Sequence, residues 1–227
     1  MNLLTLQGKR ILLTQADTFI GPAFAATFRE LGAEVIEDHG DLLDPARPAQ
    51  VVHAAGRIDV LLIHLALPAP GTPAAQVDDD EWRAAFGHMV DPMPRLVRAV
   101  LPQMIERRSG KILLIGSASA LRGMKRTSTY SAARGAQLAY IQALGVEVAP
   151  HNIQVNAIAQ NFVDNPTYYG PEVQANPRFQ ERLAREVPLG RLVRAEEDAM
   201  FAAYLCTAAA DCFVGQVFPL SGGWAVR

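Results

Sequence analysis

Cysteine is almost missing from this chain of 227 residues. Only Cys206 and Cys212 occur, six positions apart near the C-terminus. That excludes a disulfide framework and leaves no Cys-x-x-Cys for zinc. The five histidines (His39, His53, His64, His88, His151) show no HxxxH or HxH spacing and read as structural or surface residues, so no metal site is expected. Charge of one sign is lacking too: the net charge is −2, and the longest acidic run, Asp78-Asp79-Asp80-Glu81, suits the capping or solvation of a helix. This balance gives no reason to expect nucleic acid or an anionic membrane as partner. No apolar run approaches membrane-spanning length, and in "MNLLTLQGKRILLT" no charged segment precedes an apolar one. Internal repeats and low-complexity linkers are also missing. The expectation is a reduced, soluble, cytoplasmic protein.

What is present is an even alternation of strands and helices. Half of the residues are apolar and 19% charged, and the length suits one large α/β domain over 1–227. Strands are expected at 10–14, 33–37, 58–66, 110–117, 152–159 and 216–219. Helices are expected at 20–31, 45–55, 78–107 (interrupted by Pro92 and Pro94), 128–149, 172–186 and 195–209. Short all-apolar strands between helices imply a parallel sheet covered on both faces. Right-handed crossovers then give a doubly wound, Rossmann-like three-layer sandwich. Ligands bind beyond the carboxyl ends of such strands, which is where Thr14, Ala66, Ser117 and Ala159 should lie.

Along the fourth strand and the helix after it, Ser117 precedes Tyr130 by thirteen positions and Arg134 follows Tyr130 by four. One helical turn separates Tyr130 from Arg134, so the guanidinium can reach the phenol. An arginine stays charged at any relevant pH and favours tyrosinate by proximity. Glu37 and Asp38 end the second strand, where an acid could hold a ribose. Asp41 and Asp44 could serve an adenine or cap the next helix.

Over nearly its whole length the chain resembles the short-chain dehydrogenase/reductase family. The marks are "DVLL" in the third strand, Ser117 and Tyr130, "NIQVNAIA", "VPLGR" and "SGGW". Two parts of that pattern are missing. The Gly-rich turn TGxxxGxG, which lets the backbone approach a pyrophosphate, reads Thr14-Gln15-Ala16-Asp17-Thr18-Phe19-Ile20-Gly21, with only Gly21 left. The Asn-Asn-Ala-Gly expected at the end of the third strand reads Ile63-His64-Leu65-Ala66. Where a reductase would carry lysine four residues after the tyrosine, this chain has Arg134.

Ser-x12-Tyr-x3-Arg together with Thr-x4-Phe-x-Gly is similar to the halohydrin dehalogenases, cofactor-free relatives of those reductases. The resemblance implies a vicinal haloalcohol or epoxide as small-molecule substrate, a halide ion as product and no cofactor. It implies Tyr130 as base, Arg134 as the charge that tunes it, and Ser117 as hydrogen-bond partner of the substrate oxygen. Phe19, Gln160, Asn161, Phe162 and Val163 would then form the halide pocket, and Thr14, Tyr168 and Tyr169 the substrate pocket. Phe19 could instead be core packing, Phe162 could anchor a lid, and Tyr168 and Tyr169 could line the cavity or merely cover it. Trp82 and Trp224 read as packing residues. The family's tetramers, with the alanine-rich helix at 131–143, imply a homo-oligomer. The alternatives are an NAD(P)-dependent reductase with a worn glycine motif, and a catalytically idle assembly domain.

Overall fold

The two-residue repeat of a strand sends successive side chains to opposite faces, and both faces of this sheet are buried. The computed structural model describes residues 3–226. Six parallel strands form one sheet: β1 (Arg10–Thr14), β2 (Glu34–Asp38), β3 (Val60–His64), β4 (Gly110–Ser117), β5 (Ile153–Gln160) and β6 (Val217–Leu220), in the order β2-β1-β3-β4-β5-β6. The helices are α1 (Gly21–Glu30), α2 (Arg47–Ala55), α3 (Asp79–Met89), α4 (Pro92–Glu106), α5 (Ser128–Val148), α6 (Pro171–Ala175), α7 (Pro177–Glu186) and α8 (Ala195–Leu205). Leu12, Leu61, Ile63, Leu114 and Val155 face a core shared with α2, α4 and α5. Ile11, Leu13, Leu62, Leu113 and Ile158 face the other core, under α1 and α8. This is the doubly wound, Rossmann-like fold expected. The chain reverses its winding between β1 and β3, and a crevice opens at such a switch point.

Several boundaries differ for local reasons. β3 stops at His64, short of Ala66, because the Ala66 N–H is taken by the Gln15 side chain (2.7 Å). The expected break near Pro92 falls between Met89 and Pro92. Pro92 starts α4 and Pro94 sits in its first turn, where a missing N–H leaves no helix bond unmade. The helix expected at 172–186 is two helices, since Asn176 caps α7 by accepting the Arg178 N–H (2.9 Å) and Pro177 begins it. α8 ends at Leu205, with a separate 3-10 turn at Ala208–Ala210. The acidic run does cap a helix: Asp78 accepts the Glu81 N–H at the start of α3 (2.8 Å). Trp82, expected to pack, is half exposed and stacks on Phe86 (4.6 Å between centroids). Among the described residues no helix is long and apolar enough to cross a membrane, and no cluster of His, Cys, Asp or Glu could hold a metal ion.

Candidate active site

A cavity of about 310 Å³ opens at the carboxyl ends of β3, β4 and β5 and beside the loop after β1. Ser117 ends β4, and Tyr130 and Arg134 occupy the first two turns of α5; all three line this cavity. The Ser117 hydroxyl is 2.9 Å from that of Ser119 and accepts the Ser119 amide N–H (3.2 Å). The rest of its hydrogen-bonding capacity is left to the cavity.

Arg134 is 4% exposed, and its guanidinium carbon lies 5.1 Å from the centre of the Tyr130 ring. Nη1 donates to the Leu65 carbonyl (3.0 Å), to Gln137 Oε1 (3.0 Å) and more weakly to the Ile115 carbonyl (3.4 Å). Nε is buried without a partner. Among the described residues no carboxylate pairs with this guanidinium. A buried charge without a counter-ion is costly, and a neighbouring anion would relieve it.

The loop after β1 keeps the backbone of a glycine turn while filling it with side chains. Gln15 and Phe19 take positive φ, 47° and 49°, which L-residues seldom adopt. These two stand at the first two glycine places of TGxxxGxG. Gln15 reaches across to the Ala66 N–H, and the Phe19 ring meets His64 edge-on (6.1 Å) and Tyr168 at a tilt (5.6 Å). Gly21, the glycine that remains, has no room for a Cβ, which would lie 2.6 Å from the Ala16 carbonyl oxygen.

The stretch after β5 forms the opposite wall. Phe162 is fully buried at φ 52°, its ring stacked on Tyr169 (6.1 Å) and tilted against Trp224 (6.1 Å). Asn161 Oδ1 accepts the Phe162 N–H (2.9 Å), while Asn161 Nδ2 is buried with no partner. The Arg182 guanidinium lies over the Phe162 ring (5.4 Å) and shares its charge with Glu186 (3.1 Å). The Tyr168 hydroxyl accepts the Ala69 N–H (2.9 Å); burial and the nearby Tyr130 phenol push it up to about 12. Burial pushes Tyr169 up to about 12 as well.

Of the expected site residues, Ser117, Tyr130, Arg134, Phe19, Gln160, Asn161, Phe162, Val163, Tyr168 and Tyr169 line this one cavity. Thr14 does not. Its hydroxyl donates to the His64 carbonyl (2.8 Å) and accepts the His64 N–H (2.9 Å), stitching β1 to β3 beneath the site. Gln160 borders the cavity, but its side-chain amide is turned to Asp198, which is fully buried on α8 and, by burial, pushed up to about 8. Glu37 and Asp38 are engaged too, with Arg29 and His39 and with Arg47.

Sequence reasoning missed His64, Ser119, Gln137 and Asp198. His64 is buried against the cavity; Nδ1 donates to the Gln15 carbonyl (3.1 Å), and burial with the Arg134 charge pushes it down to about 4. Its place at the carboxyl end of β3 was the signal. Gln137, three residues after Arg134, shares its helix face, and that spacing was visible. Asp198 had no signal beyond an acid among apolar residues.

The family model described as enoyl-(acyl carrier protein) reductase, a short-chain dehydrogenase/reductase model, matches residues 3–225. The chain belongs to the short-chain dehydrogenase/reductase family. It is 31% identical to the 3-oxoacyl-[acyl-carrier-protein] reductase FabG of Pseudomonas aeruginosa, over 97% of this chain and 98% of that one. A solved structure described as a dehalogenation enzyme superposes with a TM-score of 0.90 at 30% identity, covering 97% of this chain and 99% of that one. A halohydrin dehalogenase (HheC) bound to ethyl (2S)-oxiran-2-ylacetate superposes with a TM-score of 0.88 at 29% identity, covering 96% and 98%. The proteins it resembles thus include both a reductase and dehalogenases.

Proposed function

We propose that this chain is a halohydrin dehalogenase, a lyase turning a vicinal haloalcohol into an epoxide, a halide ion and a proton without a cofactor. The reverse reaction would open an epoxide with halide, azide, cyanide or nitrite. One observation carries the reading: Gln15 and Phe19 fill the positive-φ places where glycines would let a pyrophosphate approach, and the Phe19 ring lies against His64 and Tyr168. The residues present therefore do not suit a nicotinamide dinucleotide. Arg134 agrees with this, since its Nη1 is tied to carbonyls and Gln137 below the site rather than free for a ribose.

The chemistry follows from the side chains. Tyr130, as tyrosinate beside the Arg134 charge, takes the proton of the substrate hydroxyl. Ser117 holds the same oxygen by a hydrogen bond. The alkoxide attacks the neighbouring carbon from the side opposite the halogen; the C–O bond forms as the carbon–halogen electron pair leaves with the halide. Asn161 Nδ2 offers the departing anion a donor and the aromatic edges of Phe19 and Phe162 their positive rim. A second reading, an NAD(P)-dependent reductase, is favoured by the 31% identity to the FabG reductase.

A small bromoalcohol mixed with the protein alone, with bromide and proton release followed, tests the proposal. Wild type should release both in equal amounts, and Tyr130→Phe should lose at least about 100-fold of the rate with its circular dichroism unchanged. Absence of bromide release, with NADH fluorescence titrating on binding, would return the protein to the reductases.

A further inference from the structure

Gln137 is fully buried and bridges three elements. Its Oε1 accepts from Arg134 Nη1 (3.0 Å), and its Nε2 donates to the carbonyls of Met89 at the end of α3 (2.5 Å) and of Leu65 after β3 (3.3 Å). Both carbonyls are uncharged, and so is the amide. A carboxylate at the same position would be an ideal counter-ion for a buried guanidinium, yet the chain has an amide there. The amide supplies the acceptor that fixes Arg134 without the negative charge that would quench it. We propose that Gln137 is a positioning residue for Arg134, holding the guanidinium in place with a neutral acceptor so that its whole charge bears on Tyr130. This rests on the reading of Tyr130 as the base.

The other groups around Tyr130 leave Arg134 as the charge that matters. The α3 side is apolar, with Ala85 and Met89 buried and Phe86 packed on them. From β3 comes His64, whose lowered value leaves it neutral at neutral pH. From the stretch after β5 come Tyr168 and Tyr169, both protonated there. β4 contributes the hydroxyls of Ser117 and Ser119. Arg182, on α7, acts on Tyr169 and is paired with Glu186.

Two variants of the full chain separate charge from geometry. Gln137→Glu keeps size and acceptor and adds the carboxylate; Gln137→Met is neutral, of similar length and without the acceptor. The readout is NMR titration of ring-labelled tyrosine, with the Tyr130 resonance identified by its loss in Tyr130→Phe. Gln137→Glu should move the Tyr130 midpoint upward by at least about one pH unit, as a new anion beside the cation requires. Gln137→Met, which releases the guanidinium, should raise the midpoint by less than Gln137→Glu does and lower kcat with KM nearly unchanged. An unmoved midpoint in folded Gln137→Glu overturns the proposal, and so does a midpoint raised as far by Met as by Glu. If Gln137→Glu does not fold, Gln137→Met decides: an unmoved midpoint or an undiminished kcat overturns the role. The titration needs no substrate, so a displaced midpoint without halide release would sink the dehalogenase reading alone. Release with an unmoved midpoint would sink only the role of Gln137.

Discussion

Asn161 Nδ2 is a buried donor without a partner, and such a group costs about 1–3 kcal/mol unless something accepts from it. Its neighbour Phe162 is held in the left-handed region, a strain that persists only where surrounding contacts over-determine it. Both residues border the cavity, and a halide is an acceptor that would repay the amide. Asn161→Asp replaces the donor with a repelling carboxylate and keeps the shape. Bromide inhibition of initial rates should weaken at least about tenfold, equivalent to about 1.4 kcal/mol. Bromide inhibition equal to wild type in the folded variant would take Asn161 out of the halide pocket.

Among elements, the loop between β1 and α1 keeps the backbone of a glycine turn with a single glycine left. At two of its three glycine places the positive φ is adopted by Gln15 and Phe19, at a cost in strain. The third is different in kind. A Cβ on Gly21 would stand 2.6 Å from Ala16 O and 2.7 Å from Gln15 O, against backbone that cannot move without opening the turn. Gly21→Ala should therefore destabilise the protein by about 1–3 kcal/mol, the range for overpacking, and displace Phe19 from the cavity wall. Urea denaturation measures the first effect, and an unchanged midpoint would contradict the close approach seen here. The break at Pro92 was legible in the sequence, because the ring constrains its own backbone. The early end of β3 was not, since it depends on Gln15 arriving from fifty-one residues away.

For the whole molecule, two buried groups oppose each other across pH. Burial holds Asp198 protonated up to about 8, against 3.8 for the ordinary carboxyl. Between those values the folded chain binds a proton the unfolded chain has lost, so this contribution falls as pH rises. His64 is lowered by burial from 6.5 to about 4, so the folded chain refuses a proton the unfolded chain accepts. Its contribution is complete above 6.5 and is lost as pH falls toward 4. Asp198→Asn removes the first effect and keeps an acceptor for the Gln160 amide. Melting temperatures of variant and wild type should diverge in favour of the variant as pH rises from about 5 to about 8. A constant difference over that range would mean that Asp198 is ionised in the folded protein.

The sequence by itself determined the doubly wound sheet, because strand and helix periodicities are local and all-apolar strands require cover on both faces. It also determined that Ser117, Tyr130 and Arg134 meet at one cavity, since Tyr130 and Arg134 share a helix and Ser117 ends a strand whose carboxyl edge faces the crevice. The chemistry of the remaining positions was decided by tertiary structure. Thr14 is the hydroxyl expected to face substrate, and it is spent between β1 and β3. Gln160 points to an acid thirty-eight residues further on. His64, with no ligand spacing in the sequence, becomes a cavity wall because β3 ends there beside Gln15. A polar side chain's role depends on which partners reach it first, and here those partners come from strands and loops far apart in the chain.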